Sequence, residues 1–216
     1  FRSDSIVIGS WNSGVSVPGY AWPTDWTDLS SGMQISSFYR LGLSVNNPGY
    51  VIAGAQDNGT DWFNAGTAGW WNVFGGDGMD CFIDPYDPQQ IYYSYQYGAL
   101  LYSPDGGVTD NWLSPGISET GEWTTPFIMD PADNQTLYAG FVNLWMSPDG
   151  GASWLQSSWF STAPGSASSA PVSALAVAPS ASNVIYLAKR VQHQYGLPGE
   201  VWKTSDGGGN WQNITA

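Results

Sequence analysis

One short motif recurs three times in the chain: Ser103-Pro-Asp105-Gly-Gly107, Ser147-Pro-Asp149-Gly-Gly151-Ala-Ser-Trp154 and Thr204-Ser-Asp206-Gly-Gly208-Gly-Asn-Trp211. The three aspartates stand 44 and 57 positions apart, and the first copy carries two extra residues before its Trp112. A motif returning at this period means stacked copies of one supersecondary unit. Its chemistry is that of a tight turn. A short oxygen-bearing side chain caps backbone N–H groups, the glycines adopt positive φ, and the Trp packs across the unit. Ser103, Asp105, Gly107, Trp112, Ser147, Asp149, Gly151, Trp154, Thr204, Asp206, Gly208 and Trp211 are therefore read as structural.

A second pattern runs in step with the first: an apolar run, a proline, several polar residues, then an apolar-Tyr pair. Its copies surround Pro48, Pro85, Pro131 and Pro179, at spacings of 37, 46 and 48. Each repeat reads as four short strands. In the third repeat they are predicted at 126–129, 136–141, 144–147 and 153–156, with turns at Asp133-Asn134 and at Asp149-Gly-Gly151. A four-stranded unit per repeat is a β-propeller blade. The expected fold is all-β, with a partial blade over 1–32 and blades over 33–75, 76–118, 119–166 and 167–216. Propellers usually close with more blades than four, so these four to five are expected to be part of a larger ring. The chain starts at Phe1 and stops just after the third motif, as a piece of a longer polypeptide would.

Composition narrows the function classes. The chain carries 18 acidic and 5 basic residues, a net charge of −13. Phosphate backbones need clustered Lys and Arg, and the only basic cluster is Lys189-Arg190, so nucleic acid is not an expected partner. No apolar run reaches the ~20 residues of a membrane span. The single cysteine, Cys81, excludes an intrachain disulfide and sits in the apolar run 79–83, where it reads as a small buried hydrophobe. The one histidine, His193, lies in a polar loop and reads as solvated. There is no Cys/His metal spacing and no serine-histidine-acid signature, so no metal ligand is assigned. Calcium is conceivable where carboxylates and carbonyls cluster, but EF-hand-like spacing is absent.

The repeats resemble those of the Asp-box (BNR-repeat) propellers, a group that includes sialidase-like, xyloglucanase-like and sortilin-like proteins. Trp26-Thr-Asp-Leu, Gln34-Ile, Phe38-Tyr-Arg, Gln56-Asp-Asn-Gly59, Gly75-Gly-Asp-Gly78, Gln96-Tyr-Gly98 and Ala176-Val-Ala-Pro179 carry the likeness beyond the boxes. They are most similar to repeats in large exported proteins of Bacteroidetes-type bacteria, often secreted through a C-terminal sorting domain (type IX secretion). The resemblance implies an extracellular or cell-surface location. It does not imply sialidase activity. Those enzymes grip a substrate carboxylate with three arginines, and this chain has only Arg2, Arg40 and Arg190. Arg40, on a predicted innermost strand, is read as a buried or channel-lining ion partner.

Blade topology sorts the loops onto two faces. The aspartate motifs join third and fourth strands on one face. Loops between second and third strands, and loops leading into each blade, fall on the other. That second face collects Gln56, Asp57, Asn58, Asp77, Asp80, Gln96, Tyr97, Glu119, Glu122 and Trp123, and it includes Asn143 and the loop 190–200. Gln56, Asp57, Asn58, Asp77, Asp80, Gln96, Tyr97 and Trp123 are the candidate ligand-binding residues. Asp57, Asp77, Asp80 and Glu122 are the candidate catalytic carboxylates, since glycoside hydrolysis needs one protonated and one ionised acid ~5–10 Å apart. Trp62, Trp70, Trp71 and Trp123 lie nearby in sequence as stacking surfaces for sugars. The same Asp-Asn-Gly and Gly-Asp-Gly stretches are also ordinary turn sequences. Three functions follow: a non-catalytic module binding a glycan or protein, a glycoside hydrolase acting on a β-linked polysaccharide, or a purely architectural subunit.

Overall fold

The structure is a computed structural model that describes residues 36–160, 169–190 and 196–215, together with the short strands β1 (Val7–Ile8) and β2 (Thr27–Asp28). The chain divides into two compact units, Phe1–Ser37 and Phe38–Ala216. In the first, β1 pairs antiparallel with β2. The rest of the partial blade expected over 1–32 lies outside the described residues.

The second unit is four antiparallel four-stranded sheets in sequential order. Blade A holds β3 (Phe38–Leu43), β4 (Tyr50–Ala55), β5 (Gly59–Asn64) and β6 (Gly69–Phe74). Blade B holds β7 (Cys81–Ile83), β8 (Ile91–Tyr95), β9 (Ala99–Ser103) and β10 (Asn111–Trp112). Blade C holds β11 (Phe127–Asp130), β12 (Asp133–Gly140), β13 (Leu144–Ser147) and β14 (Leu155–Gln156). Blade D holds β15 (Val172–Ala178), β16 (Ala181–Lys189), β17 (Glu200–Thr204) and β18 (Gln212–Asn213). The first strands of consecutive sheets, β3, β7, β11 and β15, lie side by side. This is the radial arrangement of β-propeller blades, and no α-helix interrupts it among the described residues.

Both faces of an inner blade are apolar because each packs against a neighbour, and three cores fill the gaps. Ile52, Trp62 and Val73 meet Cys81, Ile83, Tyr93 and Leu101 between A and B. Tyr92, Leu100 and Leu113 meet Phe127, Leu137 and Phe141 between B and C. Tyr138 and Leu144 meet Val172, Val177, Ile185 and Leu187 between C and D. Within this unit the outward faces of the end blades remain open, with Phe38 45% and Trp70 51% exposed on A, and Tyr186 38% and Val201 39% on D.

The aspartate motifs fold as three near-identical turns. In blade C, Ser147 Oγ donates to Asp149 Oδ1 at 2.8 Å and accepts the Gly151 N–H at 2.8 Å. Asp149 in turn accepts the Ser153 N–H at 2.8 Å and the Ser153 hydroxyl at 2.6 Å. Asp105 and Asp206 repeat the pattern with Thr109 and Asn210. Gly151 takes φ 97°, which a side chain would strain. The tryptophans differ. Trp154 Nε1 donates to Leu113 O, and Trp211 Nε1 donates to Ser157 O at 3.0 Å. Trp112, displaced by the two extra residues, sits in β10, is 55% exposed and stands edge-on to Phe74. At the A–B boundary it is Trp71 whose Nε1 reaches Gly106 O, at 3.2 Å.

One turn is displaced from its sequence-based position. It falls at Pro131-Ala132 rather than Asp133-Asn134, because Asp130 Oδ1 accepts the Ala132 N–H at 2.8 Å and β12 begins at Asp133.

Candidate functional site

The face opposite the aspartate turns is held by a chain of side-chain bonds that runs from blade to blade. It starts at Asp57, whose φ of 58° is tolerable for Asp but not for a branched residue. The Asp57 N–H donates to Asp77 Oδ1 at 2.8 Å, and Gln96 Nε2 donates to Asp77 Oδ2 at 2.5 Å. Asp77 thus clamps the β4–β5 loop of blade A to the β8–β9 loop of blade B. Asn58 folds inside its own loop, donating to Gln56 O at 3.0 Å.

Tyr97 follows Gln96 and also has a left-handed backbone, φ 60°. For a bulky residue this is an outlier that the surroundings must enforce. Two hydrogen bonds do so: Tyr97 N–H to Trp123 O at 3.4 Å, and Gly121 N–H to Tyr97 O at 3.1 Å. The Tyr97 ring stands edge-on to Trp123, with centroids 5.2 Å apart. Trp123 Nε1 donates to Tyr39 Oη at 3.3 Å. Tyr39, Tyr97 and Trp123, from blade A, blade B and the approach to blade C, form one aromatic group in which Tyr97 is 53% and Trp123 38% exposed.

Acidic groups brace this patch. Glu122 Oε1 pairs with Arg190 Nε at 2.6 Å, tying the Trp123 loop to the end of β16. Glu119 accepts from Asn143 at both oxygens, at 2.8 and 2.7 Å. Asp80 is different. Its Oδ2 accepts the Phe127 N–H at 3.2 Å, and the residue lines a groove of about 640 Å³ along β7 and β11. Burial pushes its carboxyl above the usual range, while the Phe127 amide and the Arg40 charge pull it part of the way back. Arg40 itself is exposed rather than buried, and its Nη1 donates to Tyr39 O at 2.9 Å.

The other tryptophans named from sequence are not surface platforms of this face. Trp62 is 2% exposed and packs edge-on against Trp71 in the A–B core. Trp70 stacks with Phe38 and packs at a tilt against Phe63 on the outward face of blade A. No group of three metal-ligating side chains occurs among the described residues. His193 lies outside them. Tyr39 was not singled out by sequence reasoning. Its place at the start of an innermost strand, beside Arg40, is the signal that marks it.

The fold has clear structural neighbours. A GH74 enzyme from Niastella koreensis superposes with TM-score 0.61 at 18% identity, over 88% of this chain and 32% of its own. An ancestral GH74 enzyme gives 0.63 at 15% identity, over 87% and 28%. The GH74 xyloglucanase of Xanthomonas campestris gives 0.60 at 20% identity, over 82% and 30%. The chain therefore spans about a third or less of these enzymes' length. At such identities the likeness establishes the propeller fold. No protein-family profile matches the chain. No curated protein sequence matches it either.

Proposed function

We propose that the Tyr39–Tyr97–Trp123 face is a glycan-binding surface on a non-catalytic propeller module of a larger exported protein. The observation that carries this reading is Tyr97. A bulky residue is held in the left-handed region with its ring outward, braced edge-on by Trp123, and strain of this kind is retained where a side chain must be presented. Exposed aromatic rings flanked by amide and carboxylate groups match a sugar ring, which offers an apolar C–H face and an equatorial rim of hydroxyls. The open apolar faces of blades A and D support further blades completing the ring. The resemblance to exported propeller repeats supports the location.

The carboxylates favour binding over hydrolysis. Both Asp77 oxygens and the Glu122–Arg190 pair are committed to holding loops. A second reading, glycoside hydrolysis, rests on Asp80, whose raised carboxyl and neighbouring groove are the features of a general acid. Titration of the chain with cello-, xylo- and mannohexaose, with product analysis in parallel, separates them. The binding reading expects saturable binding to at least one oligosaccharide, weakened about tenfold or more in Tyr97→Ala and Trp123→Ala, without product formation. Hydrolysis by the wild type that is lost in Asp80→Asn would replace it with the second reading.

A further inference from the structure

The three blade boundaries are built alike but filled differently. At each, the second glycine of an aspartate turn faces one residue of the preceding blade. A Cβ on Gly107 would meet Val73, at 2.7 Å, and one on Gly151 would meet Leu113, at 2.8 Å. At the C–D boundary the same position is Ser157, whose oxygens lie 2.5 and 2.6 Å from a Cβ built on Gly208. Where the first two boundaries insert a branched apolar side chain into their cores, the third has only a hydroxymethyl group.

The consequence is a cleft of about 570 Å³ at the rim, between β14 and the Thr204–Gly208 turn. Trp159, Phe160, Trp202 and Trp211 line it, with Gln156 and Ser157. Trp159 is 76% exposed and makes no hydrogen bond or ring contact among the described residues. Phe160, by contrast, is fixed against both Trp202 and Trp211, with centroids 4.9 and 5.8 Å apart. The polar groups are neutral and oriented: Gln156 Nε2 donates to Ser158 O at 2.8 Å, and Ser157 Oγ donates to Gly207 O at 3.3 Å, leaving acceptor lone pairs on both side chains.

We infer that this cleft is a second ligand site, one that takes a neutral pyranose oligosaccharide. Its volume falls in the ~300–1,000 Å³ range of small-ligand sites. Its lining is aromatic and uncharged. The net charge of −13 works against anionic sugars approaching the molecule. The site shares its ligand class with the Tyr97–Trp123 face but no residue, so the two stand or fall separately.

The test is made in a Trp123→Ala background, in which the first face is impaired. Cello-, xylo- and mannohexaose are titrated calorimetrically into this protein, then into the same protein carrying Trp159→Ala or Ser157→Leu. Trp159→Ala removes an exposed ring without touching a core, and Ser157→Leu refills the boundary as Leu113 does. Residual binding that weakens about tenfold or more in both double variants supports the cleft. Absence of binding in the background, or binding unchanged by Trp159→Ala, overturns it. If Ser157→Leu does not fold, Trp159→Ala alone decides. The face reading fails by a different result, equal affinity of the wild type and Trp123→Ala.

Discussion

Gln96, in the β8–β9 loop of blade B, and Asp77, in the connection leading into that blade, meet at 2.5 Å, and the same carboxylate receives the Asp57 N–H of blade A at 2.8 Å. A carboxylate used as a clamp responds to substitution differently from one used as an acid. Asp77→Ala strands two donors and is expected to cost roughly 1–3 kcal/mol. Asp77→Asn keeps one acceptor oxygen for Asp57, and its amide can donate to Gln96 Oε1, which has no hydrogen-bond partner among the described residues, once the Gln96 amide turns over. Asp77→Asn is therefore expected to retain most of the stability and of the glycan affinity, while Asp77→Ala loses both. Urea denaturation with oligosaccharide titration checks this. A catalytic Asp77 would erase this difference for activity, with Asn as damaging as Ala.

The aspartate turns predict an acid limb in the stability profile. Hydrogen bonds from Asn210 and Thr204 hold the Asp206 carboxyl at about 2, and the Ser153 and Thr109 bonds hold Asp149 and Asp105 below the usual carboxylate range. A carboxyl depressed in the folded state contributes stability above its unfolded pKa, about 4, and loses it as pH falls through the folded value. The melting temperature should therefore fall between about pH 4 and pH 2. Asp206→Asn should be less stable at pH 7 and show a shallower acid slope. Thermal melts followed by Trp fluorescence at half-unit pH steps measure both.

Much of the fold was legible because turn chemistry is local. Ser147, Asp149 and Gly151 need only each other and Ser153, so seven consecutive residues announce a strand-turn-strand in the sequence. Strand existence followed from the four-strand pattern of each repeat between its turn residues, and β13 falls where it was expected, at Leu144–Ser147. What the sequence hid was non-local. Asp133 reads as a turn residue as readily as Asp130 does, and the choice is made partly by Ser182 of blade D, whose hydroxyl also binds Asp130 Oδ1 at 2.8 Å. The site was half visible for the same reason. Tyr97 and Trp123 were candidates by loop position, but Tyr39 joins them only through a hydrogen bond across 84 residues of sequence. Trp62 and Trp123 are the same residue type near similar loops, and only packing made one a core residue and the other a surface ring.

Gly98 tests whether the Tyr97 conformation is required. It follows Tyr97 with φ 88°, and a Cβ would lie 2.3 Å from Cε1 of Phe141, which is 1% exposed in the B–C core. Gly98→Ala combines left-handed strain with overpacking against a ring that has no room to move, and is expected to cost roughly 2–5 kcal/mol. Gly116→Ala is the control. Its φ is 97° but a Cβ there meets nothing within 4 Å, so it should cost only the backbone component, about 1–2 kcal/mol. Chemical denaturation of both variants gives the comparison. Gly98→Ala should also weaken oligosaccharide binding beyond what its loss of stability explains, because the strained residue next to it carries the presented ring.

Lys189 predicts a rise in stability on the alkaline side. It is 2% exposed, its ammonium donates to Val142 O at 2.6 Å and Ala170 O at 2.9 Å, and it lies 4.3 Å from the Phe160 ring centroid. Burial lowers it from the ordinary 10.5 to about 8, with Glu200 and Glu119 opposing part of the shift. Between those two values the unfolded chain binds more protons than the folded one, so stability increases with pH across that window. Buried tyrosines act the other way at higher pH. Tyr138 is raised to about 12 and Tyr92 and Tyr93 are raised as well, so the folded state loses their contribution once unfolded tyrosines ionise near about pH 10. Cys81, raised to about 12 by burial, also opposes the rise once the unfolded thiol ionises near about pH 8.5. The lysine effect is therefore read below that point, as a melting temperature that climbs from about pH 7.5 to about 8.5. Lys189→Met should flatten this climb while leaving the acid limb set by Asp105, Asp149 and Asp206 in place. A Lys189→Met protein that keeps the full alkaline rise would assign the rise to another group.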